Sequence, residues 1–373
     1  MGLRASWGLI AGAVALAFLG GLALMQADWL ASGPANDFLS FYSAAGASDI
    51  YSQSSIDAAR PPAFATVAAS ARPYARIPLH AKLYSFLRPL PYPTAYLVFQ
   101  VLMLWCMGAF VFGWLPNKRA LTLTASAVSV PLFFSFMRGQ DWPLALAAFA
   151  GCVVAERYRA PILAGFCLSV AAIHPAAVIA APLLLIAHRR WAMCTGFLSG
   201  LTVMATVSFW TAGLDWPQRF AAAFFSAAPA DPAIMPNLLG TAAWLHLSPW
   251  AAAVAGLAVA SAVYVVCRRE SMVTSLGCVA AAGLLLSPQA RLEDTVLLLP
   301  AGLALLASDQ HWVVRVIALL FLSPMFFLPQ FGDAATHVLV LLAFMALLLA
   351  AFLRSQSEQA DARPAGLAQL KLS

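Results

Sequence analysis

The chain has 373 residues, of which 62% are hydrophobic and only 10% charged, against about 25% charged in ordinary soluble domains. So few charges cannot coat a water-facing globule of this length, and the same figures exclude disorder, collagen and coiled coil. The formal net charge of +6 is scattered as short punctuation between apolar runs, without the basic stripe and interleaved aromatics of a nucleic-acid binder.

What remains is an all-α polytopic membrane protein, one integral-membrane body over residues 1–353 followed by a polar tail, 354–373. An apolar stretch of about 20 residues spans the hydrocarbon core as a helix. The first runs from 7 to 27 behind a single Arg4 and has no small-residue cleavage site before Asp28, so an uncleaved anchor is expected rather than a signal peptide. Residues 28–91 form a first outer loop rich in charge and proline. Apolar segments follow at about 92–114, 119–137, 142–155, 162–173, 175–187 and 191–212. A second outer loop, 213–248, precedes 249–267, 271–287, 293–308, 312–328 and 335–353. That is about 12 segments in all. Several are too short to cross alone, and such broken or re-entrant helices are tolerated only where protein or a water-filled cavity surrounds them.

Twelve crossings put both termini on one side. That side receives Arg4, Lys118, Arg119, Arg157, Arg159, Arg189, Arg190, Arg268, Arg269, Arg315 and the tail cations, 13 basic against five acidic residues; the other side holds eight basic and ten acidic. The basic side is expected to be cytoplasmic. Most carboxylates then lie at the outer surface, where nucleotide-activated substrates are absent and an energy-rich donor has to be lipid-linked. The six cysteines all fall in or at the ends of apolar runs and form no CxxC pair, so free thiols are expected, with neither disulfides nor a metal.

Four polar interruptions carry the chemistry. Asp37, Phe41 and Tyr42 share one side of a short helix. The pattern fits a general base held on an aromatic platform at the membrane boundary; it equally fits an N-cap, by Asn36 or Asp37, of an interfacial helix. In Met137-Arg138-Gly139-Gln140-Asp141-Trp142, Arg138 is a candidate phosphate ligand or part of an interfacial turn. His174-Pro175 lies between two short helices, as an anion ligand beside a helix start or as an interhelical hydrogen bonder. In Ser287-Pro288-Gln289-Ala290-Arg291-Leu292-Glu293-Asp294, Arg291 is a candidate for phosphate and Glu293 or Asp294 for sugar hydroxyls or a base; acidic residues at a helix start are the alternative. Asp49 is a further carboxylate of the first outer loop. Residues from Asp215 to Phe225 read as an amphipathic interfacial helix, with Asn237 beyond it.

In this order the motifs resemble the family 87 glycosyltransferases, polytopic GT-C enzymes that include mycobacterial mannosyltransferases. Asp37-Phe38 with Phe41-Tyr42, Ala44-Ala45 and Ile50-Tyr51 looks like that family's first outer-loop signature. Arg76-Ile77-Pro78-Leu79, then Arg88-Pro89-Leu90, is similar to its Tyr-Pro-Pro segment, with one proline kept. Gly139-Gln140 resembles its Gly-Gln turn, His174-Pro175 stands where Lys-Pro is frequent, Arg189-Arg190-Trp191 matches its basic turn, and Ser287-Pro288 with Asp294 its late loop, here without histidines. The resemblance, over about residues 5–310, implies a GT-C helix bundle in a bacterial inner membrane, its site facing the periplasm. It implies inverting transfer from a polyprenyl-phosphate sugar to a lipid or glycan hydroxyl, with no cofactor. Asp37 is then the base. Asp49, Glu293 and Asp294 are candidates for a second catalytic or sugar-binding group, Arg138, His174 and Arg291 for donor phosphate, and Tyr42, Gln140 and Asn237 for substrate. A transporter or flippase of lipid-linked sugars, or a non-catalytic part of envelope glycan assembly, are the competing readings. A flippase predicts ionisable residues deep within helices and internal repeats; here the charges sit at helix ends.

Overall fold

The computed structural model describes residues 8, 10–21, 37–64, 74–227, 229, 231–308, 310–322 and 333–361, and among them there is no β-strand. In chain order the helices are α1 (Ile10–Gly21), α2 (Asp37–Ala44), α3 (Gln53–Ala58), α4 (Pro78–Leu83), α5 (Tyr92–Gly113), α6 (Arg119–Ala127), α7 (Val130–Met137), α8 (Trp142–Arg157), α9 (Pro161–Val170), α10 (Pro175–Val178), α11 (Ala181–Ala187), α12 (Trp191–Ala212), α13 (Trp216–Ser226), α14 (Leu238–Trp244), α15 (Pro249–Arg269), α16 (Met272–Leu286), α17 (Leu298–Ala307), α18 (Trp312–Phe321) and α19 (Asp333–Asp361). Of the anchor expected over 7–27, only residue 8 and α1 are among the described residues. Of the tail expected from 354, the α19 backbone continues to Asp361 and the rest lies outside them.

Proline placement explains why long apolar runs become short helices. Among the described residues nine α-helices carry Pro at one of their first two positions, where its missing N–H is no loss and its fixed φ suits the helix. The segment expected at 119–137 shows the consequence. Pro131 cannot continue α6, because its ring would meet the carbonyl of Ala127. The chain instead breaks at Val128–Ser129, and α6 and α7 meet at 63°.

Among the described residues four helices are long and apolar enough to cross a bilayer, α5, α12, α15 and the Ala334–Leu353 part of α19, or five spans if the bent pair counts as one. The others expected to span are shorter apolar helices. The protein is a helical membrane protein. The largely exposed Trp191 and Trp210 sit near the two ends of α12, about 28 Å apart along its axis at 1.5 Å per residue, the spacing of two interfacial aromatic belts. Close packing of α9 on α12 runs through glycines: a Cβ on Gly165 would strike the Met193 carbonyl, and one on Gly196 the Ile162 carbonyl. Small residues let membrane helices approach this closely.

The polar groups separate into two ends. At one, Glu156 pairs with Arg190, Lys118 donates to the Ala307 carbonyl at 3.3 Å, and Gln310 donates to Glu270 at 2.9 Å; Lys118 and Arg190 are among the cations that charge counting assigns to the basic side. At the other, the first outer loop, the 138–141 turn, His174, the α13–α14 segment and the 287–297 stretch come together.

Candidate active site

The tight turn after α7 organises the second end. Gly139 adopts φ +67°, in the left-handed region where glycine is at ease. A Cβ there would lie 2.8 Å from the Cβ of Phe38, so only glycine lets α2 settle this closely. The backbone N–H of Asp37 donates to the Arg138 carbonyl at 2.7 Å, and Gln140 Nε2 donates to Asp37 Oδ2 at 2.6 Å. Among the described residues the Asp37 carboxylate therefore bonds to the 138–141 turn rather than capping its own helix. The turn is braced from α5, where Gln100 Nε2 donates to the Phe136 carbonyl at 2.9 Å. Phe38, Tyr92, Tyr96 and Phe99 form an aromatic bed under α2.

Beside Gln140, Asp141 is fully buried. His80 Nε2 lies 2.8 Å from its Oδ2 and Tyr84 donates to the same oxygen at 3.0 Å. His174 Nε2 lies 2.9 Å from Oδ1, and Arg76 Nη2 is 3.8 Å away. Tyr74 Oη is 2.6 Å from His80 Nδ1, and Arg76 Nη1 is 2.8 Å from His174 Nδ1. A guanidinium only donates, so His174 Nδ1 accepts and Nε2 carries the proton toward Asp141. Burial by itself would raise the Asp141 carboxyl, but the His80 and His174 imidazoles outweigh it and hold it well below the usual carboxylate range. Burial, with the Arg76 charge behind it, brings His174 down to about 4, and burial lowers His80. The cluster sets one buried carboxylate close to one permanent cation, with two imidazoles packed against them. Trp142 stacks on His174 with ring centres 3.9 Å apart, which fixes the imidazole plane. Among the described residues no group of His, Cys, Asp or Glu has the arrangement of a metal site; here the imidazoles and the carboxylate touch one another directly.

The 287–297 stretch closes the site from the C-terminal half. Glu293, 4% exposed, is ion-paired with Arg138, whose side chain is half-exposed. A small cleft runs between Pro131 and Phe134 on one side and Leu292, Glu293 and Thr295 on the other, with Arg138 at its edge. Asp294 Oδ2 accepts from the Arg291 backbone N–H at 2.8 Å, the helix-start role weighed for it above; burial pushes its carboxyl up.

Tyr42, Asp49 and Asn237 make contacts within the protein. Tyr42 donates to the Leu90 carbonyl at 2.8 Å beneath the Arg88 guanidinium, 4.5 Å over its ring. Asp49 pairs with Arg219 at 2.5 Å, joining the first outer loop to α13. Asn237, fully buried, caps α14 through Gly240 N–H at 2.7 Å and donates to the Ser287 carbonyl at 2.8 Å. Asp37, Gln140, Arg138 and Glu293 are brought together, and His174 joins Asp141. Sequence reasoning singled out no role for Asp141, His80, Tyr84 or Arg76. The one available signal was a carboxylate directly after Gly139-Gln140, followed by Trp142.

The fold is that of a helical membrane protein, and at one end several ionisable side chains gather around a carboxylate held by a turn. The sequence model of glycosyltransferase family 87 matches residues 78–288, more than half of the chain, and the protein belongs to that family. It is thus a membrane glycosyltransferase. Comparison with curated proteins and with solved structures returns no match.

Proposed function

We propose that the protein transfers a sugar from a polyprenyl-phosphate donor to a hydroxyl of a lipid or glycan acceptor on the extracytoplasmic face of the bacterial inner membrane, inverting the anomeric centre, with Asp37 as general base. Both termini are then cytoplasmic, with the basic end of the bundle. The observation that carries this reading is the Gln140 Nε2–Asp37 Oδ2 bond of 2.6 Å. It orients one carboxylate oxygen and leaves the other for an incoming hydroxyl. A hydroxyl is a weak nucleophile at neutral pH, and a positioned carboxylate accepts its proton as the bond forms. In the reaction the acceptor oxygen bonds to the anomeric carbon, its proton passes to Asp37, and the anomeric carbon–phosphate oxygen bond breaks. The departing electron pair stays on the polyprenyl phosphate, whose growing charge needs fixed cations nearby. Gln140 Oε1, buried without a partner among the described residues, is available to accept from a sugar or acceptor hydroxyl. Glu293, which pairs with Arg138 of the same turn, and Asp294 beside it are further candidates for sugar hydroxyls.

The test incubates membranes containing the protein with a panel of polyprenyl-phosphate sugars and a native lipid extract as acceptor source, and follows free polyprenyl phosphate by mass spectrometry. Release from one donor, dependent on the protein, is expected. Equal release from membranes lacking the protein, for every donor, would contradict the proposal.

A further inference from the structure

Arg138 and Arg76 both reach the site, and they are held in opposite ways. Arg138 is half-exposed and already engaged by Glu293. Arg76 has a side chain only 20% exposed. Both of its hydrogen bonds leave from Nη1, to the Ile173 carbonyl at 3.2 Å and to His174 Nδ1 at 2.8 Å. Nη2 stands 3.8 Å from Asp141, beyond hydrogen-bond distance. A guanidinium carries five donors in a planar fork that matches phosphate oxygens two at a time. One nitrogen anchors this fork; the Nε and Nη2 donors are uncommitted among the described residues. The Arg76 guanidinium also lies 5.9 Å from the centre of the Phe41 ring, one helical turn along α2 from Asp37. A permanent cation is thus pinned beside the helix that bears the base.

The same bonds remove His174 as an anion ligand. Its Nδ1 accepts from Arg76, its Nε2 faces Asp141, and Trp142 covers its ring face. Nδ1 is spent on holding Arg76, and Nε2, though it makes no hydrogen bond among the described residues, faces a carboxylate 2.9 Å away that would repel a phosphate.

We propose that Arg76 is the residue that binds the phosphoryl group of the lipid-linked donor, and that His174 and Asp141 are positioning residues that set its guanidinium. The inference rests on the proposed donor class and refines it, replacing His174 by Arg76 as the phosphate ligand. An arginine at this place stabilises the phosphate as the glycosidic bond breaks, and no proton has to move to it.

The test separates this inference from the reading it rests on. The full chain in lipid nanodiscs is titrated with a polyprenyl monophosphate and with the matching polyprenol, and the ratio of the two affinities is read. Wild type is expected to prefer the phosphate by about tenfold or more, the worth of one charge-assisted bond. Asp37→Asn keeps that preference. Arg76→Gln reduces it to under about threefold while polyprenol binding holds, and Arg76→Lys falls between, a point charge lacking the fork. His174→Gln, uncharged but still able to accept from Arg76, stays within about threefold of wild type, as does Arg138→Gln. A wild-type preference in folded Arg76→Gln, or in Arg76→Lys should the first variant not fold, overturns the assignment, as does loss of the preference in Arg138→Gln. A wild type that does not distinguish phosphate from alcohol overturns the donor class itself.

Discussion

Replacing Gly139 by alanine tests how the site is assembled. The residue sits at φ +67°, and a side chain in that conformation costs about 1–2 kcal/mol. The new methyl would stand 2.8 Å from Phe38 Cβ, 3.1 Å from a Tyr96 ring carbon and 3.3 Å from the Phe38 nitrogen. Contacts below 3 Å are not sustained, so the start of α2 has to withdraw by several tenths of an ångström, carrying Asp37 away from Arg138 and Gln140. A misplacement of about 1 Å at a reacting group costs on the order of 100-fold in rate. We expect a loss of about 1–2 kcal/mol in stability together with a fall of about 10- to 100-fold in polyprenyl phosphate release at saturating donor. Thermal unfolding in detergent and the release assay measure the two effects. Gly108→Ala is the internal control: its Cβ meets nothing within 4 Å, and alanine there should be neutral or stabilising by up to about 1 kcal/mol. Gly139→Ala protein as stable and as active as wild type would refute the claim that this turn sets the carboxylate.

Asp141→Asn removes the buried anion facing Arg76 and is expected to cost about 3–5 kcal/mol, seen as a large drop in unfolding temperature; an unchanged midpoint would mean the cluster is not coupled. Stability should also depend on acidity. His174, brought down to about 4 in the folded protein, is protonated earlier in the unfolded chain, near 6.5. Its contribution is therefore fully present above about pH 6.5 and is lost as the pH falls toward 4, by about 3 kcal/mol. Asp141 adds a further loss only below its ordinary value of about 3.9. A midpoint constant from pH 7 to 4.5, or a decline that His174→Gln does not lessen, would contradict this. Asn237→Ala removes the α14 cap and the tie to Ser287, and should destabilise by about 1–2 kcal/mol; thermal unfolding checks it, and an effect below about 0.5 kcal/mol would show that the 287–297 stretch is held by other means.

Much of this was legible along the chain, because apolar runs and punctuating charges are local signals. The separation of Lys118, Arg157, Arg190 and Arg269 from Asp37, Arg138, His174 and Glu293 into two ends follows from where each run stops. The break at Val128–Ser129 was harder to see, since Pro131 lies inside an uninterrupted apolar stretch and only its helical geometry shows that α6 must end. The Asp37–Gln140 link joins residues 103 positions apart, yet both stood in motifs that could be read singly. The Asp141 cluster could not be assembled that way. His80 and Arg76 reach it from α4 and the turn before it, 61 and 65 residues upstream, and neither has a neighbour in sequence that marks it as buried. The Nδ1 bond of His174, on which its proposed supporting role rests, is made by Arg76, 98 positions away.

The central claim, that Asp37 is the base of a glycosyl transfer, is tested most directly by comparing wild type with Asp37→Asn at matched expression, once a donor that releases polyprenyl phosphate is in hand. Asparagine keeps the shape of the side chain but cannot take the proton. A positioned base contributes about 10²- to 10⁴-fold, so release should fall by that factor while donor binding stays intact. Release by Asp37→Asn within a few-fold of wild type would contradict the assignment and move the search for the base to Glu293 and Asp294.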